Sequence, residues 1–411
     1  MKVLEQSNKE MLMRVPMLRF PEFLEGKEWQ EKQLHSVCQM KAGKFISASK
    51  INTQYIEGLY PCYGGNGLRG FTSEYSHSGE YSLIGRQGAL CGNVNFVTGR
   101  FYATEHAVVV SPNKKINNNW LFYYLNKLNL NQYAIGQAQP GLSVNFLEKI
   151  TIQIPEQEKE QQKIADCLSS LDNVISLQTQ KIDTLQQYKK GLMQKLFPAE
   201  GETVPELRFS EFRQQGEWEQ RKLGEIAKFT SGGTPSKNVA DYWNGTIPWI
   251  SASSMYSTKL NKSTLNVTSL AIGNGTRIAK KGSLLILVRG SMLFNRIPMG
   301  IADIDVAFNQ DVKSLSIDKK MNAIFLLNQL MTFESRIAIN ETGIGAGKIE
   351  TEDLKRLNIY MPSISEQQKI ADCLSSLDEL IDAETQKLAA LKTHKTGLMQ
   401  QLFPIMDEIN R

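Results

Sequence analysis

Apolar residues recur at alternating intervals of three and four positions in two separate stretches of the chain. The positions are Leu168, Leu171, Ile175, Ile182, Leu185, Leu192 and Leu196 in the first stretch, and Leu374, Leu377, Ile381, Leu388, Leu391, Leu398 and Leu402 in the second. This heptad spacing is typical of coiled-coil helices. It predicts long helices over residues 160–196 and 366–402, each roughly 55 Å long at 1.5 Å per residue.

Each apolar stripe is interrupted by two polar residues, Gln178 and Lys189 in the first helix and Glu384 and Lys395 in the second. If the helices pair antiparallel about the midpoint of these positions, Glu384 lies near Lys189 and Gln178 near Lys395. Buried polar residues of this kind can fix the register of a coiled coil, and we expect these four to do so. The alternative is that they lie at the edge of the seam and carry no register information.

The two helices belong to an internal duplication. Residues 160–172 recur letter for letter as 366–378, an interval of 206 positions, and both copies end in Leu-Phe-Pro. A second repeated segment, Val-Pro-x-Leu-Arg-Phe, begins at Val15 and again at Val204, an interval of 189, and is followed by Trp29 and Trp218. The sequence between these segments diverges. Because the period far exceeds that of stacking repeats, we interpret the chain as one duplication containing two divergent blocks.

The divergent blocks combine strand and helix signals. Apolar runs predict strands at 81–85, 107–110, 283–288 and 357–360, and short helices at 120–125 and 323–327. We expect α/β (α+β) modules alternating with two long antiparallel coiled-coil helices, in a pseudo-twofold arrangement. The expected parts are a first module with its repeated segment at 1–155, a helix at 156–198, a linker with the second repeated segment at 199–219, a second module at 220–362 and a helix at 363–411.

Composition narrows the possible classes of protein. No apolar run reaches the roughly 20 residues that a membrane-spanning helix needs. The N-terminus lacks an apolar signal segment, so we expect a cytoplasmic protein without membrane contact. The 5 cysteines include no CxxC pair, which argues against a disulfide framework and a cysteine-based zinc site. A net charge of +5 permits a polyanionic partner.

No catalytic or metal-binding constellation is found in the sequence. The 4 histidines form no HExxH motif and have no cysteine or carboxylate at ligand spacing. Residues 65–70 match GxGxxG, but no helical periodicity follows them, as a dinucleotide site requires. Residues 342–349 resemble a phosphate-binding loop that lacks its first glycine and its final Ser/Thr. We therefore expect no catalytic residue and no metal or cofactor bound by this chain.

Glycine-rich polar loops in both blocks suit contact with DNA. Glycine lets the backbone approach phosphates, arginine can pair with guanine, and asparagine or glutamine with adenine. The segments 84–88 and 287–291 look like two versions of one site, in which Arg86 corresponds to Arg289. Any single loop of this composition is more often a plain turn. Recurrence at comparable places in both halves favours a functional surface.

Together these features resemble the specificity subunit of type I restriction-modification systems. The resemblance rests on the repeated Glu-Gln-Gln-Lys-Ile-Ala helices, on the Val-Pro-x-Leu-Arg-Phe segments with their tryptophans, and on block motifs at 60–67, 141–149, 231–235 and 247–250. It covers essentially the whole chain. It implies that each module is a target recognition domain reading one half of a bipartite, asymmetric site in double-stranded DNA, while the antiparallel helices set the length of the unread spacer.

The resemblance also implies partners that carry the chemistry. Two methyltransferase subunits would bind S-adenosylmethionine and methylate adenine, and restriction subunits would cut DNA with ATP and magnesium. This chain would direct them and catalyse nothing. One alternative is a coiled-coil interaction scaffold that does not read DNA. The other is an enzyme acting alone, for which the sequence offers no motif.

The loop composition and the resemblance single out candidate DNA contacts. In the first module they are Lys41, Lys44, Gly65, Asn66, Arg69, Arg86, Gln87, Gln137, Gln139 and Ser143, and in the second Thr234, Ser236, Lys237, Arg289, Ser291, Asn309, Gln310 and Lys348. The lysines at 41, 44 and 237 are expected to contact phosphates, which gives affinity without sequence preference.

Overall fold

The computed structural model describes residues 15–136, 140–342 and 345–404. Their contacts divide the chain into two compact units. The first unit contains the described residues up to Thr179 and from Gln386 onward, and the second contains Gln180–Thr385. Each unit therefore combines one divergent block with parts of both long helices.

The helices are α1 Leu34–Val37, α2 Asn118–Lys127, α3 Val144–Leu147, α4 Glu158–Leu196, α5 Leu223–Ile226, α6 Ala323–Thr332, α7 Thr351–Arg356 and α8 Ile364–Leu402. The strands of the first unit are β1 Gln30–Gln33, β2 Cys38–Ala42, β3 Tyr60–Gly64, β4 Gly67–Thr72, β5 His77–Gly85, β6 Val94–Ala103, β7 Ala107–Pro112 and β8 Thr151–Ile154. Those of the second unit are β9 Glu219–Lys222, β10 Ala227–Ser231, β11 Trp243–Ile250, β12 Lys259–Leu260, β13 Asn266–Val267, β14 Arg277–Ala279, β15 Leu284–Leu287, β16 Arg289–Gly290, β17 Met299–Ala302, β18 Val306–Phe308, β19 Val312–Ile317, β20 Asn340–Thr342, β21 Ala346–Lys348 and β22 Asn358–Met361.

The first unit is built on a six-stranded sheet with the order β2-β7-β5-β6-β3-β4. Neighbouring strands are antiparallel except β3 and β6, which are parallel. Helix α2 begins after Asn117, whose side chain accepts a hydrogen bond from the Trp120 N–H and so caps the helix. Trp120 and Tyr124 of α2 are fully buried in the core of this unit.

The second unit repeats this plan with additional short strands. In its five-stranded sheet, β10-β19-β15-β17-β12, the strands β10, β19 and β15 correspond to β2, β7 and β5. β9 pairs with β22 as β1 pairs with β8, and α6 begins after a capping Asn322 as α2 does after Asn117. Sheets with the orders β13-β11-β18-β14 and β16-β21-β20 complete the unit. The predicted α/β modules, and the strands and helices named for them, are thus confirmed.

A buried ion pair explains why the repeated segments and helices recur together. Arg19 donates two hydrogen bonds to Glu160, at 2.7 and 2.8 Å. Arg208 donates two bonds of the same lengths to Glu366. Both carboxylates are almost completely enclosed. Each Val-Pro-x-Leu-Arg-Phe segment is therefore fixed to the start of a long helix.

The next residue of the motif joins the helix to the module. Gln161 accepts a hydrogen bond from the backbone N–H of Asn117 at 2.8 Å, and Gln367 accepts one from Asn322 at 2.9 Å. Both glutamines are buried. The repeated Glu-Gln-Gln motif thus connects three elements at once, which requires the same residues in both copies.

The Phe residues of the two Leu-Phe-Pro endings lie in the cores of the units. Phe403 packs edge-on against Trp29 at 6.4 Å and Tyr124 at 5.1 Å in the first unit. Phe197 packs against Trp218 at 6.5 Å and Phe325 at 5.2 Å in the second unit. The end of each long helix therefore completes the core around the tryptophan of the other copy.

The long helices run antiparallel within each unit. In the second unit Lys189 bonds Asp378 at 2.6 Å and Lys181 bonds Glu384, so rising numbers on α4 meet falling numbers on α8. The first unit holds the counterpart pair, in which the Lys395 ammonium bonds the carboxylate of the repeated aspartate, Asp172, at 2.5 Å. The predicted antiparallel pairing is confirmed.

The predicted partners of the seam residues are wrong. Because Asp378 faces Lys189, Glu384 lies six residues further along α8, roughly 9 Å along the axis. The same offset separates Gln178 from Lys395. The lysines instead reach carboxylates beside the apolar seam, which the heptad positions alone do not reveal. Gln178 and Lys189 are nevertheless buried, so these polar residues do interrupt the seam itself.

In the described ranges, neither long helix nor any other helix carries the sustained apolar stretch that a membrane span requires.

Candidate nucleic-acid interface

A groove of about 440 Å³ opens where β5, the β6–β7 turn and the segment before α3 meet in the first unit. Three predicted contacts, Arg86, Gln87 and Ser143, line it together. Arg86, Gln87 and Ser143 are exposed. Ser143 also caps α3 by accepting a bond from the Phe146 N–H, so part of its hydrogen-bonding capacity is used.

The floor of the groove is a tight turn that sequence reasoning missed as a site. The Ala107 N–H bonds the Thr104 carbonyl at 3.0 Å, which places Glu105 and His106 at the two central positions of a β-turn. The Arg86 N–H bonds the His106 carbonyl at 2.8 Å and ties this turn to the end of β5. The sequence shows a short polar stretch between two predicted strands, but it does not show that this turn lines the groove.

Gly65 lies against the same turn. A Cβ atom there would lie 3.0 Å from the carbonyl oxygens of both Gln87 and His106. A larger residue at this position would crowd both carbonyl groups, so the glycine allows the close packing of β3 against the turn. The residues before and after it form β3 and β4, a strand–turn–strand arrangement that excludes the dinucleotide loop suggested by GxGxxG.

The structure does not place the other predicted residues of the first unit in the lining of the groove, as far as they are described. Lys44 and Asn66 are exposed, and the Lys44 N–H bonds the Ala103 carbonyl just before the turn. Arg69 is exposed on β4, and Lys41 is exposed on β2. Gln137 and Gln139 lie outside the described residues.

The charges of Arg69 and Glu105 both act on the thiol of Cys62. Burial raises the pKa of Cys62, the Arg69 charge lowers this pKa and the Glu105 charge raises it. Burial also lowers the pKa of His77, with the Lys44 charge adding to that effect.

The corresponding loops of the second unit are held by their own side chains. Thr234 donates to Gln310 Oε1 at 2.7 Å. Asn309 is buried, and its amide bonds both the backbone and the carboxylate of Asp311. The predicted contact Asn309 therefore shapes the turn instead of facing solvent. Ser236 and Lys237 are exposed.

Backbone hydrogen bonds correct the expected match between the two loops. The Leu142 N–H bonds the Arg86 carbonyl, and the Ile349 N–H bonds the Val288 carbonyl in the same way. Val288 is therefore the counterpart of Arg86. Arg289 is then the counterpart of Gln87, one position away from the predicted alignment.

Arg289 is exposed on β16, where it pairs with Lys348 on β21. Lys348 forms an ion pair with Glu350 at 2.6 Å, so its charge is partly compensated within the protein. Ser291 is exposed and follows β16 directly. Within the described residues, no group of three or more His, Cys, Asp or Glu residues could hold a metal ion.

The comparisons with known proteins agree with this architecture. The family model described as type I restriction modification DNA specificity domain matches residues 26–187 and 215–393. The chain is similar to the EcoprrI specificity subunit of Escherichia coli, at 52% identity over 134 residues, 32% of this chain and 33% of that one. It is also similar to the EcoR124I/EcoR124II specificity subunit of Escherichia coli, at 28% identity over 281 residues, 66% of this chain and 65% of that one.

The matched stretches span less than two thirds of the length of either relative. Among solved structures, the type I restriction-modification S subunit from M. genitalium shares the fold with a TM-score of 0.61 and 17% identity, over 96% of this chain and 100% of that one. The family match covers most of the chain and falls on both copies of the duplication. The chain therefore belongs to the type I restriction-modification specificity subunits and carries two copies of their DNA specificity domain.

Proposed function

We propose that the chain recognises a bipartite, asymmetric DNA sequence, with the loop surface of each unit reading one half. The proposal rests on one observation. The two units share the same contacts between repeated segment, long helix and module, but they carry different residues at equivalent loop positions. Arg86 corresponds to Val288 and Gln87 to Arg289. Direct readout depends on which donors and acceptors a surface presents, so these two surfaces would select different bases.

The turn between the equivalent strands differs in the same way. The Val288 N–H bonds the Asp311 carbonyl as the Arg86 N–H bonds that of His106, which aligns Asp311 with His106 and Gln310 with Glu105. The first unit thus presents an acidic residue where the second presents an amide. Different side chains at equivalent backbone positions support two readers with different preferences.

We further propose that the chain is not itself an enzyme and that it directs methyltransferase and restriction subunits to the recognised site. S-adenosylmethionine, ATP and magnesium would then be bound by those partners. The exposed outer faces of α4 and α8, which include Val174, Leu177 and Leu380, offer apolar surface for partner subunits. Cellular location in the cytoplasm follows from this role.

The test is adenine-methylation mapping in cells that express the chain with a cognate methyltransferase subunit. Arg86→Ala is expected to relax one base position in one half of the methylated motif, and Arg289→Ala one position in the other half. Loss of a base contact costs about 1–3 kcal/mol, or roughly 5- to 150-fold in discrimination. Each variant should leave the opposite half unchanged.

Two matched controls remove a positive charge elsewhere in the same units. Lys114 and Lys319 are exposed and follow the far ends of β7 and β19, away from the loops of the groove. Their alanine variants should leave both half-sites unchanged. Methylation that persists with the same motif when the chain is absent would refute DNA reading and favour the interaction scaffold.

A further inference from the structure

The β6–β7 turn places a carboxylate with unused acceptor capacity in the groove of the first unit. Glu105 lines this groove beside Arg86 and Gln87. Its Oε1 lies 3.2 Å from Nε2 of His106. Its Oε2 is enclosed and finds no hydrogen-bond partner among the described residues.

Stability does not account for this arrangement. A contact between two partly exposed neighbours contributes little even where both carry a charge, and an enclosed acceptor without a donor is unfavourable. A carboxylate has about four acceptor sites, and the imidazole of His106 lies near only one of its oxygens. The Glu105 side chain is 30% exposed, so a donor in the groove can reach the carboxylate. Glu105 is therefore prepared to accept a hydrogen bond from a donor that enters the groove.

The groups around Glu105 allow DNA to supply that donor. The turn is rigid, since the Ala107 N–H closes it and the Arg86 N–H fixes it to β5. Within the described part of the chain, the Arg86 guanidinium forms no ion pair or side-chain hydrogen bond. Together with Lys44, it offsets the repulsion between Glu105 and the phosphates.

We propose that Glu105 is a specificity-determining residue of the first unit, which accepts a hydrogen bond from the exocyclic amino group of cytosine (N4) or adenine (N6) in the major groove. The imidazole of His106 lies 3.2 Å from the exposed side of the same carboxylate, at Oε1. Guanine and thymine present the acceptors O6 and O4, so the carboxylate disfavours them at that position. This inference rests on the proposed function, since it assigns one base contact within the half-site of the first unit.

The second unit provides the natural contrast. Gln310 occupies the position of Glu105, and its Oε1 accepts from Thr234 while its Nε2 lies 3.4 Å from Asp311. An amide both donates and accepts, so it lacks the strict preference for an amino group. Glu105→Gln therefore converts the first unit to the chemistry of the second without changing the size of the side chain.

The experiment is a binding selection with the complex of the chain and its methyltransferase subunit. The DNA library randomises the half-site of the first unit and keeps the other half fixed. Wild type is expected to select cytosine or adenine at one position, and the base recovered identifies which amino group is bound. Glu105→Gln should reduce that preference roughly tenfold at this position alone. Glu80→Gln is the control, because Glu80 is exposed on β5 outside the groove.

Three outcomes would overturn the inference. One is a Glu105→Gln profile equal to wild type at every position. Another is a wild-type profile with guanine or thymine at each selected position. The third is a uniform loss of affinity for all sequences in both Glu105→Gln and Glu105→Ala, which would indicate a structural role. Absence of any selection by the wild-type complex would instead refute the proposed function, so the two failures are distinguishable.

Discussion

Removing Glu366 is expected to destabilise the joint between the second repeated segment and its long helix. Arg208 and Glu366 form two hydrogen bonds of 2.7 and 2.8 Å, and their side chains are 8% and 0% exposed. Glu366→Ala leaves the guanidinium enclosed without a counter-charge. An uncompensated buried charge of this kind costs about 3–5 kcal/mol.

The structure favours the lower end of that range. Arg208 retains bonds from Nη1 to the carbonyls of Gln215 and Gly216, at 2.7 and 3.0 Å. We therefore expect a loss of about 3 kcal/mol in the free energy of unfolding. The control is Glu206→Ala, which breaks an ion pair with Lys195. The side chains of Lys195 and Glu206 are 55% and 70% exposed. Its effect should stay below about 1 kcal/mol.

Two measurements test this. Urea denaturation gives the change in unfolding free energy, and hydrogen exchange of peptides covering 204–218 and 364–374 locates it. Replacing both partners with apolar residues, as Arg208→Met with Glu366→Leu, should cost less than Glu366→Ala because no charge is left unpaired. The reasoning would be refuted if Glu366→Ala and Glu206→Ala lowered the free energy of unfolding equally. It would also be refuted if the double variant were less stable than Glu366→Ala.

Three further predictions concern the helices. Lys189→Glu opposes Asp378 and should lower stability by about 1 kcal/mol or more, and adding Asp378→Lys should restore most of it; a double-mutant cycle in urea without coupling would contradict the pairing. Burial lowers the pKa of Lys127 to about 8, so the unfolded chain binds more protons between pH 8 and its ordinary pKa near 10.5. Stability should therefore rise with pH across that window in wild type and not in Lys127→Met, and a difference between them that does not vary with pH would exclude this linkage. Gly191 and Gly397 lie within long helices with open space around the Cβ position, so each alanine variant should raise stability by about 0.5–1 kcal/mol. Thermal unfolding measures this, and an unchanged or lower Tm in both variants would contradict it.

The predicted boundaries of the five parts of the chain stay predictions, and so do the individual DNA contacts. The structure brings Arg86, Gln87 and Ser143 to one groove, which is partial support for grouping them. It assigns Gly65 to close packing and Asn309 to the shape of a turn. Residue type alone could not separate these roles, because glycine and asparagine suit tight turns as well as DNA.

The sequence by itself determined the two long helices, their recurrence in one duplication and the mixed modules. These follow from periodicity and from exact recurrence, which report contacts that every copy must make, such as the bonds of Glu160 and Glu366 to the two repeated arginines. Tertiary structure alone decided the register of the helices. A lysine side chain is long enough to extend out of the apolar seam, and Lys189 therefore bonds Asp378 beside the seam.

Tertiary structure also decided which loop residues share a surface. Glu105 and Arg86 are far apart in the sequence, so no local pattern links them. The pairing of β5 with β7 brings the two residues together. The one-residue shift between Arg86 and Arg289 has the same origin, because hydrogen bonds between distant strands, not local sequence, fix which residue faces the groove. The periodicity of apolar residues depends only on residues close together in the sequence. The register of paired helices and strands, and the set of residues in the groove, depend on contacts between segments far apart in the chain.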